Sequence, residues 1–391
     1  MTIKLSLPRI VEDRDWLSYE VDVTSSGLPK ILWYKVPRHC EAMLSDRSDA
    51  AVLALLIPAM KCGEDLEVAG VVSPRLYHNI KGPLQRVLQQ LNPRLSFVNV
   101  VALRVESDLS GIGDAVVTGF SSGVDSMAVL ADHWYQASSE AFRLTHLLYN
   151  NVGSHFATNE NDFLQRYDGV RKISDRMGLE LIPVHSNLAT FYDGALDLIF
   201  EKTHTVRNAT VPLLLQARVG RFLYASAYSY TDVRVASDIL IAHADLVLLP
   251  LMSTEKVDMT SVGSQYDRVE KTARILDLEE TRRSLDVCVM SKHRGNCSRC
   301  GKCLRTMLTL EVLGRLEEFS LIFDLDIYRR HRNHFLLNTL RGRGAYDVEL
   351  QGLIRRTGFQ VPAQVRFAAA IRWPEIAYKF RQVRKIIKRE G

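Results

Sequence analysis

The chain has 391 residues, enough for two or three domains with full hydrophobic cores. Apolar residues make up 47% and charged residues 24%, an ordinary balance for a soluble protein, and no run of about 18 apolar residues offers a transmembrane helix. The net charge of +5 is too small to argue for nucleic acid by itself, and the amino terminus "MTIKLSLPRIVEDRDW" meets charges early instead of presenting a signal peptide's apolar core, which predicts a cytoplasmic protein.

Residues 1–106 read as a separate α+β unit. "LSYEVDVT" and "KILWYKVP" alternate as half-buried strands around the turn-rich "SSGLP". "DAAVLALLIPAMKCG" predicts a buried helix, "LEVAGVVSPRL" a strand or turn element, and "GPLQRVLQQLNP" a helix stopped by Asn-Pro. After the loop "DLSGIGDA" the pattern changes to strands alternating with helices. "AVVTGF", "RLTHLLYNNV" and "LELIPVHSN" are the strands; "SMAVLADHWYQA" and "FLQRYDGVRKISDRMG" are helices. "VPLLLQARVGRFLYASAY" is expected as one helix, and "DILIAHADLVLLPL" as the place of another strand. This alternation predicts an α/β fold, a doubly wound, mainly parallel sheet whose ligands bind beyond the carboxyl ends of the strands. The expected domains are 1–106, 107–318 and 319–391, the last a basic helical extension containing "YRRHRNHFLLNTLRGRG" and "RQVRKIIKRE". Its charge fits a solvated helical surface, or a face for RNA, an acidic partner or a phosphorylated ligand.

The stretch "VVTGFSSGVDSMAVL" ends the first strand of this alternating region. In "SSGVDS", Gly123 permits a tight turn, the following helix is expected to begin near Asp125 or Ser126, and Ser121, Ser122 and Ser126 bring hydroxyls. A phosphate cradle and a capped helix start fit the loop alone equally well. It is not a Walker A loop, since no Gly-Lys-Ser/Thr follows, and it lacks the three-glycine dinucleotide spacing.

Of six cysteines, Cys40 and Cys62 are isolated and read as ordinary buried thiols, while Cys288, Cys297, Cys300 and Cys303 form C-x8-C-x2-C-x2-C. Two-residue gaps let neighbouring thiolates grip one ion, and four thiolates close a tetrahedral zinc shell with no position open to substrate. An iron–sulfur cluster has the same ligand type. Lys292, Arg294, Arg299 and Lys302 flank the cluster and offset its negative charge, or are plain surface charges.

"SSGVDS" resembles the "SGGxDS" signature of the PP-loop ATP pyrophosphatases, which include argininosuccinate and GMP synthetases, tRNA-thiolating enzymes and 7-cyano-7-deazaguanine synthases. The cysteine spacing downstream, and "THTVRNATVPLLLQARVGRF" between the two motifs, are similar to the last of these. The resemblance covers roughly residues 112 to 315; Ser122 stands where the family usually has Gly. It implies a HUP-type fold with Ser121, Ser122, Gly123, Val124, Asp125 and Ser126 around the ATP pyrophosphate. It also implies Arg207, Asn208 and Thr210 near nucleotide or substrate, against the plainer alternative of an N-cap with an Arg beside it, which fits Thr210 about as well.

Between the last expected strand and the cysteines, Glu255, Lys256, Asp267, Arg268, Glu270 and Lys271 are placed to close over ATP. Arg268 and Lys271 share a side of a helix start and are the chosen phosphate or carboxylate contacts, against the plainer alternative of surface pairs on an amphipathic helix. His185, His204 and His243 read as core or edge histidines, and Asn150 and Asn151 as strand-end groups able to read an adenine edge or to make a simple turn.

The function so implied is an ATP-dependent carbon–nitrogen ligase. A carboxylate, with a 7-deazaguanine as the family's example, is adenylated with release of pyrophosphate, and ammonia or an amine, a protein amine included, displaces AMP. Asp125, Ser126, Arg268 and Lys271 are the candidate catalytic residues; ATP, Mg2+ and Zn2+ the cofactors. Partners considered are a protein or RNA acceptor and a second copy in a homodimer, with no membrane. A tRNA- or nucleotide-modifying adenylating enzyme, a non-catalytic nucleotide-binding subunit and a zinc scaffold remain the alternatives.

Overall fold

The computed structural model describes residues 1–108, 111–153, 160–237, 239–288, 290 and 295–371. The chain forms two compact units, Met1–Asp286 and Val287–Gly391.

The first unit is built on one eleven-stranded sheet: β1 (Thr2–Leu5), β2 (Arg9–Asp13), β3 (Trp16–Thr24), β4 (Ile31–Pro37), β5 (Asp65–Val72), β6 (Val100–Val105), β7 (Ala115–Gly119), β8 (His146–Asn151), β9 (Glu180–Ser186), β10 (Val219–Ala225) and β11 (Asp258–Val262). Its order is β11-β10-β7-β8-β9-β4-β3-β1-β5-β6, with β2 on β3. From β11 to β9 every pair is parallel. The order runs outward from β7 to β9 in one direction and to β11 in the other, so a crevice opens beside the carboxyl end of β7. The expected α/β class with a large, mostly parallel sheet is what the chain forms.

Residues 1–106 do not sit on a sheet of their own. β4 pairs antiparallel with β9, Tyr34 opposite Ser186 and Lys35 opposite His185, and the hydrophobic core runs without a break from Ile3 to Met259. The expected boundary at 106/107 therefore falls inside this sheet. Buried polar contacts cross the same seam. The Tyr34 hydroxyl donates to Thr210 Oγ1 (3.0 Å), the Tyr192 hydroxyl to the Ala54 carbonyl (2.8 Å), and Gln216 Nε2 to Asp49 Oδ2 (2.8 Å).

Nine helices complete the unit: α1 (Asp49–Cys62), α2 (Pro74–Ile80), α3 (Pro83–Leu91), α4 (Val124–Leu130), α5 (Glu160–Met177), α6 (His204–Leu214), α7 (Asp245–Met252), α8 (Arg268–Arg274) and α9 (Glu279–Ser284), counted among the described residues. α1 is apolar around its circumference and buried from Asp49 to Met60; it stops at Gly63, whose left-handed φ of 68° lets its N–H reach back to the Ala59 carbonyl.

Two expectations are corrected. "VPLLLQARVGRFLYASAY" is not one helix: α6 ends at Leu214 and Val219–Ala225 is strand β10. β10 lies between β7 and β11 with Val219, Gly220, Phe222 and Leu223 all buried, so its residues do not alternate and the run imitates a buried helix. "DILIAHADLVLLPL" carries α7, and the last strand is the short "DMTSV" beyond it.

In the second unit α10 (Gly301–Val312) follows the cysteine turn, and α11 (Leu325–Arg341), α12 (Ala345–Thr357) and α13 (Ala363–Ala370) pack with it as a helical cluster. The basic stretch 328–344 is largely α11. Arg332 pairs with Glu311 (2.6 Å), and Arg329 with Asp326 (2.9 Å) and Glu317 (3.2 Å). Residues 381–390 lie outside the described residues. No described helix is long and apolar enough to cross a membrane.

Candidate functional site

The carboxyl ends of β7, β8, β10 and β11 and the starts of α4 and α8 gather polar side chains at one edge of the sheet. After β7 the chain turns through Phe120–Gly123 into α4, which runs on as a single π-turn over Ala131–Tyr135. The turn is made differently from the sequence expectation. Gly123 has φ −80° and ψ 171°, open to any residue, and a Cβ there would meet Ser121 Oγ at 3.4 Å and the Asp286 carbonyl at 3.6 Å. The left-handed residue is Ser122, φ 58°, fully buried, whose carbonyl accepts from the Asp286 N–H (2.9 Å). The position where the resembled family carries Gly is thus the one whose backbone favours Gly. α4 begins at Val124, ahead of the expected start. Ser126 is buried and its hydroxyl donates back to the Gly123 carbonyl (3.1 Å), while Ser121 stays exposed.

Asp125 is the focus of charge. Arg268 Nη2 lies 2.8 Å from its Oδ2 and Lys271 Nζ 3.4 Å from its Oδ1. Arg268 and Lys271 are the first and fourth residues of α8, one turn apart, so both reach the same carboxylate. A capping box fixes that helix start: Asp267 Oδ1 accepts from the Glu270 N–H (2.7 Å) and Glu270 Oε2 from the Asp267 N–H (2.9 Å). Lys271 is only 2% exposed, and its ammonium also donates to the Ser226 carbonyl (2.6 Å) and hydroxyl (2.8 Å) at the end of β10. Gly263, just past β11, has φ 86°, and a Cβ there would meet Lys271 Cε at 3.5 Å. Beside the Ser121–Ser126 turn, Arg268 and Lys271 thus set two cations against the single carboxylate of Asp125.

Behind it lies a polar layer. His204 Nδ1 is 2.8 Å from the Tyr224 hydroxyl, Asn150 Nδ2 donates to Asn208 Oδ1 (3.1 Å), and Thr205 Oγ1 donates to Asp245 Oδ1 (2.7 Å). Asp245 is fully enclosed and its Oδ2 has no partner. Burial pushes its carboxyl up to about 8, against the pull of the Thr205 hydrogen bond and the Lys271 charge, so it is mainly protonated at neutral pH.

The remaining sequence candidates divide clearly. Asn208 and Asn150 join this layer. Arg207 does not face it: its side chain is wholly buried, donating to Thr203 Oγ1 (2.8 Å) and the Leu198 carbonyl (2.6 Å) and lying over the Tyr192 ring (4.1 Å). A side chain on Gly153, in the turn after β8, would collide with it, so Arg207 shapes that turn from within. Thr210 is a core hydroxyl, donating to the Arg207 carbonyl (2.7 Å). Lys256 pairs with Asp108 (3.0 Å), Glu255 accepts from the Arg75 N–H (2.8 Å), and His185 and His243 stack on Phe163 and Tyr228. Tyr224, Ser226, Thr205, Asp245 and Gly263 were missed. Tyr224 and Ser226 fall in the stretch misread as helix, and the others carry no local signature.

The second unit holds the cysteine turn. The sulfurs of Cys288, Cys297, Cys300 and Cys303 lie within 4.8 Å of one another, Cys297 and Cys303 at 4.0 Å. Ser298 takes φ 54°, folding the two-residue gap so that the Cys300 N–H points at Cys297 Sγ (3.4 Å), and Cys300 caps α10. By themselves the sulfurs crowd: the Cys300 thiol, and then burial, push the Cys303 thiol up. Four converging sulfurs suit a metal such as zinc. Lys292 and Arg294 lie outside the described residues.

No protein-family model, curated protein or solved structure matches this chain.

Proposed function

We propose that the first unit is an ATP-dependent ligase of the PP-loop pyrophosphatase type, with a HUP-type sheet, that adenylates a carboxylate and passes the acyl group to a nitrogen nucleophile. The observation that carries the reading is the convergence of Asp125, Arg268 and Lys271 beside the Ser121–Ser126 turn, at the carboxyl edge where the strand order reverses.

The chemistry needs little from nucleophilic side chains. An oxygen of the substrate carboxylate attacks the α-phosphorus of ATP, the bond to the bridging oxygen breaks, and pyrophosphate leaves. The nitrogen nucleophile then adds to the acyl carbon, AMP departs with the former carboxylate oxygen, and the nitrogen gives up its proton. Negative charge accumulates on the leaving pyrophosphate, and Lys271 and Arg268 are preorganised cations fixed before it arrives. Magnesium bound with the nucleotide would supply further positive charge to the leaving group. Asp125 holds the two cations in register, and Asn208 and Asn150 offer amide groups to the adenine or the substrate. The cysteine turn fits a closed, structural zinc site with no catalytic step of its own.

The test is incubation with ATP, magnesium, ammonia and 7-carboxy-7-deazaguanine, with nucleotide products resolved by chromatography. AMP and pyrophosphate in equal amounts are expected. ADP, or no turnover with this or any other carboxylate, contradicts the proposal and leaves a non-catalytic binding role.

A further inference from the structure

The opposite, amino-terminal edge of the parallel strands carries a second constellation. β8 begins at His146 and β9 at Glu180, and the parallel register sets these two residues side by side. β4 runs antiparallel to β9, so the 3-10 turn that follows it, Arg38–Met43, arrives at the start of β9 and brings His39 and Cys40. Three separate stretches of chain therefore meet at the Glu180 carboxylate.

We propose that His39, Cys40 and Glu180 form a second metal site, suited to zinc, with His146 beside Glu180 as the fourth ligand that swings in when the ion binds, tying the 38–43 turn to the first residues of β8 and β9. The donor atoms of His39, Cys40 and Glu180 all lie within 4.8 Å of one another. His39 Nε2 is 2.8 Å from Glu180 Oε1 and His146 Nε2 is 3.8 Å from Glu180 Oε2. Bonds of about 2.0–2.3 Å at tetrahedral angles separate zinc ligands by roughly 3.3–3.8 Å, so rotation of the exposed His39 and Glu180 side chains brings them onto one ion beside the buried Cys40 sulfur.

Thr145 prepares His146 for the role. The Thr145 hydroxyl accepts from the Val116 N–H (3.0 Å) and its own proton points to the Val116 carbonyl (3.1 Å). Its remaining contact is with His146 Nδ1 at 2.8 Å, and in the tautomer with the proton on Nδ1 the imidazole donates here and keeps the lone pair on Nε2 for a metal. An imidazole whose other nitrogen donates to a fixed oxygen is the usual arrangement of a metal-bound histidine. The nearby Arg218 is held by Asp114 at 2.7 and 2.9 Å, which offsets its charge. Two imidazoles, one thiolate and one carboxylate balance a divalent ion to zero, and sulfur with imidazole selects zinc over magnesium or calcium. Cys40, 1% exposed, enters as a thiol, since burial and then Glu180 push it up to about 12; its proton leaves for solvent when the metal binds. A plain surface contact accounts for His39 with Glu180, but not for a thiol and a second imidazole converging on the same carboxylate.

The test compares zinc binding by the full chain and three variants, titrated against a chromophoric chelator and counted by elemental analysis. His39→Ala and Cys40→Ser should each bind one zinc fewer per chain than the wild type. Cys300→Ser should lose a different one, so that His39→Ala with Cys300→Ser loses both. Cobalt-loaded Cys300→Ser should show a single-thiolate charge-transfer band that Cys40→Ser abolishes. The His39 side chain is 65% exposed, so its removal leaves packing intact even if Cys40→Ser fails to fold. Equal zinc content in the wild type and His39→Ala overturns the proposal, and a loss confined to Cys300→Ser would do so while leaving the four-cysteine site standing.

Discussion

At the scale of single residues, the account rests on a buried lysine and a left-handed serine. Lys271 spends its ammonium on Asp125 and Ser226, yet an apolar side chain of similar volume would fill the same space. Removing one partner of a buried ion pair is costly, but Arg268 still holds Asp125 and offsets part of that cost. Lys271→Met should therefore fold with a lowered melting temperature while kcat/KM for AMP formation by the folded protein falls about 10²- to 10³-fold, the usual effect of removing one preorganised donor. Activity within a few-fold of wild type would remove Lys271 from the site. Ser122 tests the loop backbone. A left-handed conformation disfavours an L-residue by roughly 1–2 kcal/mol and a β-branched one by more, so Ser122→Gly should keep both fold and activity, whereas Ser122→Val should lower thermal stability well beyond it. Asp245 gives a pH signature. Its folded pKa stands above the unfolded value, so the native state binds the extra proton between pH 4 and 8. The group's contribution is intact below pH 4 and is lost as pH rises toward 8, with a slope of up to about 1.4 kcal/mol per pH unit. Asp245→Asn should flatten that fall, read as melting temperature against pH; an unchanged profile would show that the carboxyl is not the group responsible.

At the scale of elements, the cysteine turn and the start of α10 stand or fall with their ion. Four thiols packed within 4.8 Å repel as thiolates unless a cation joins them, and structural zinc contributes about 10–16 kcal/mol in isolated finger peptides. Chelation, or Cys300→Ser, should lower the melting temperature and release metal together; release without destabilisation would make the site incidental. This element was legible in the sequence because its whole signal lies in one short spacing. The loop before α4 was legible in place but not in mechanism, since the sequence points to Gly123 for the tight turn and the backbone puts the left-handed φ on Ser122. Arg268 and Lys271 were visible as a one-turn pair, but their partner, Asp125, lies about 145 residues away and only the fold supplies it. β10 was lost because a central parallel strand buries both faces and erases the two-residue alternation. Arg207 looked like a ligand-facing arginine because sequence cannot reveal that its guanidinium turns inward to Thr203 and Leu198.

At the scale of the molecule, the first hundred residues complete the sheet that carries the candidate site. Asp49 marks how firmly: fully buried, it accepts from the Ser73 N–H (2.7 Å) and hydroxyl (2.8 Å) and from Gln216 (2.8 Å), with Arg47 at 3.1 Å. Asp49→Ala strands these donors and should destabilise the unit by roughly 3–5 kcal/mol, measured by denaturant unfolding of the full chain. A change under 1 kcal/mol would mean the seam is not integral to the fold. With β4 closing the edge beside β9, the crevice at the carboxyl end of β7 is the place where the charge of Arg268 and Lys271 meets the Ser121–Ser126 turn. The measurement that bears most directly on this reading is the exchange of labelled pyrophosphate into ATP, with magnesium and 7-carboxy-7-deazaguanine and no nitrogen donor. Carboxylate-dependent exchange, abolished in Lys271→Met, is the predicted result; no exchange in the wild type, with ADP as the product of any ATP turnover, would contradict cleavage at the α-phosphate.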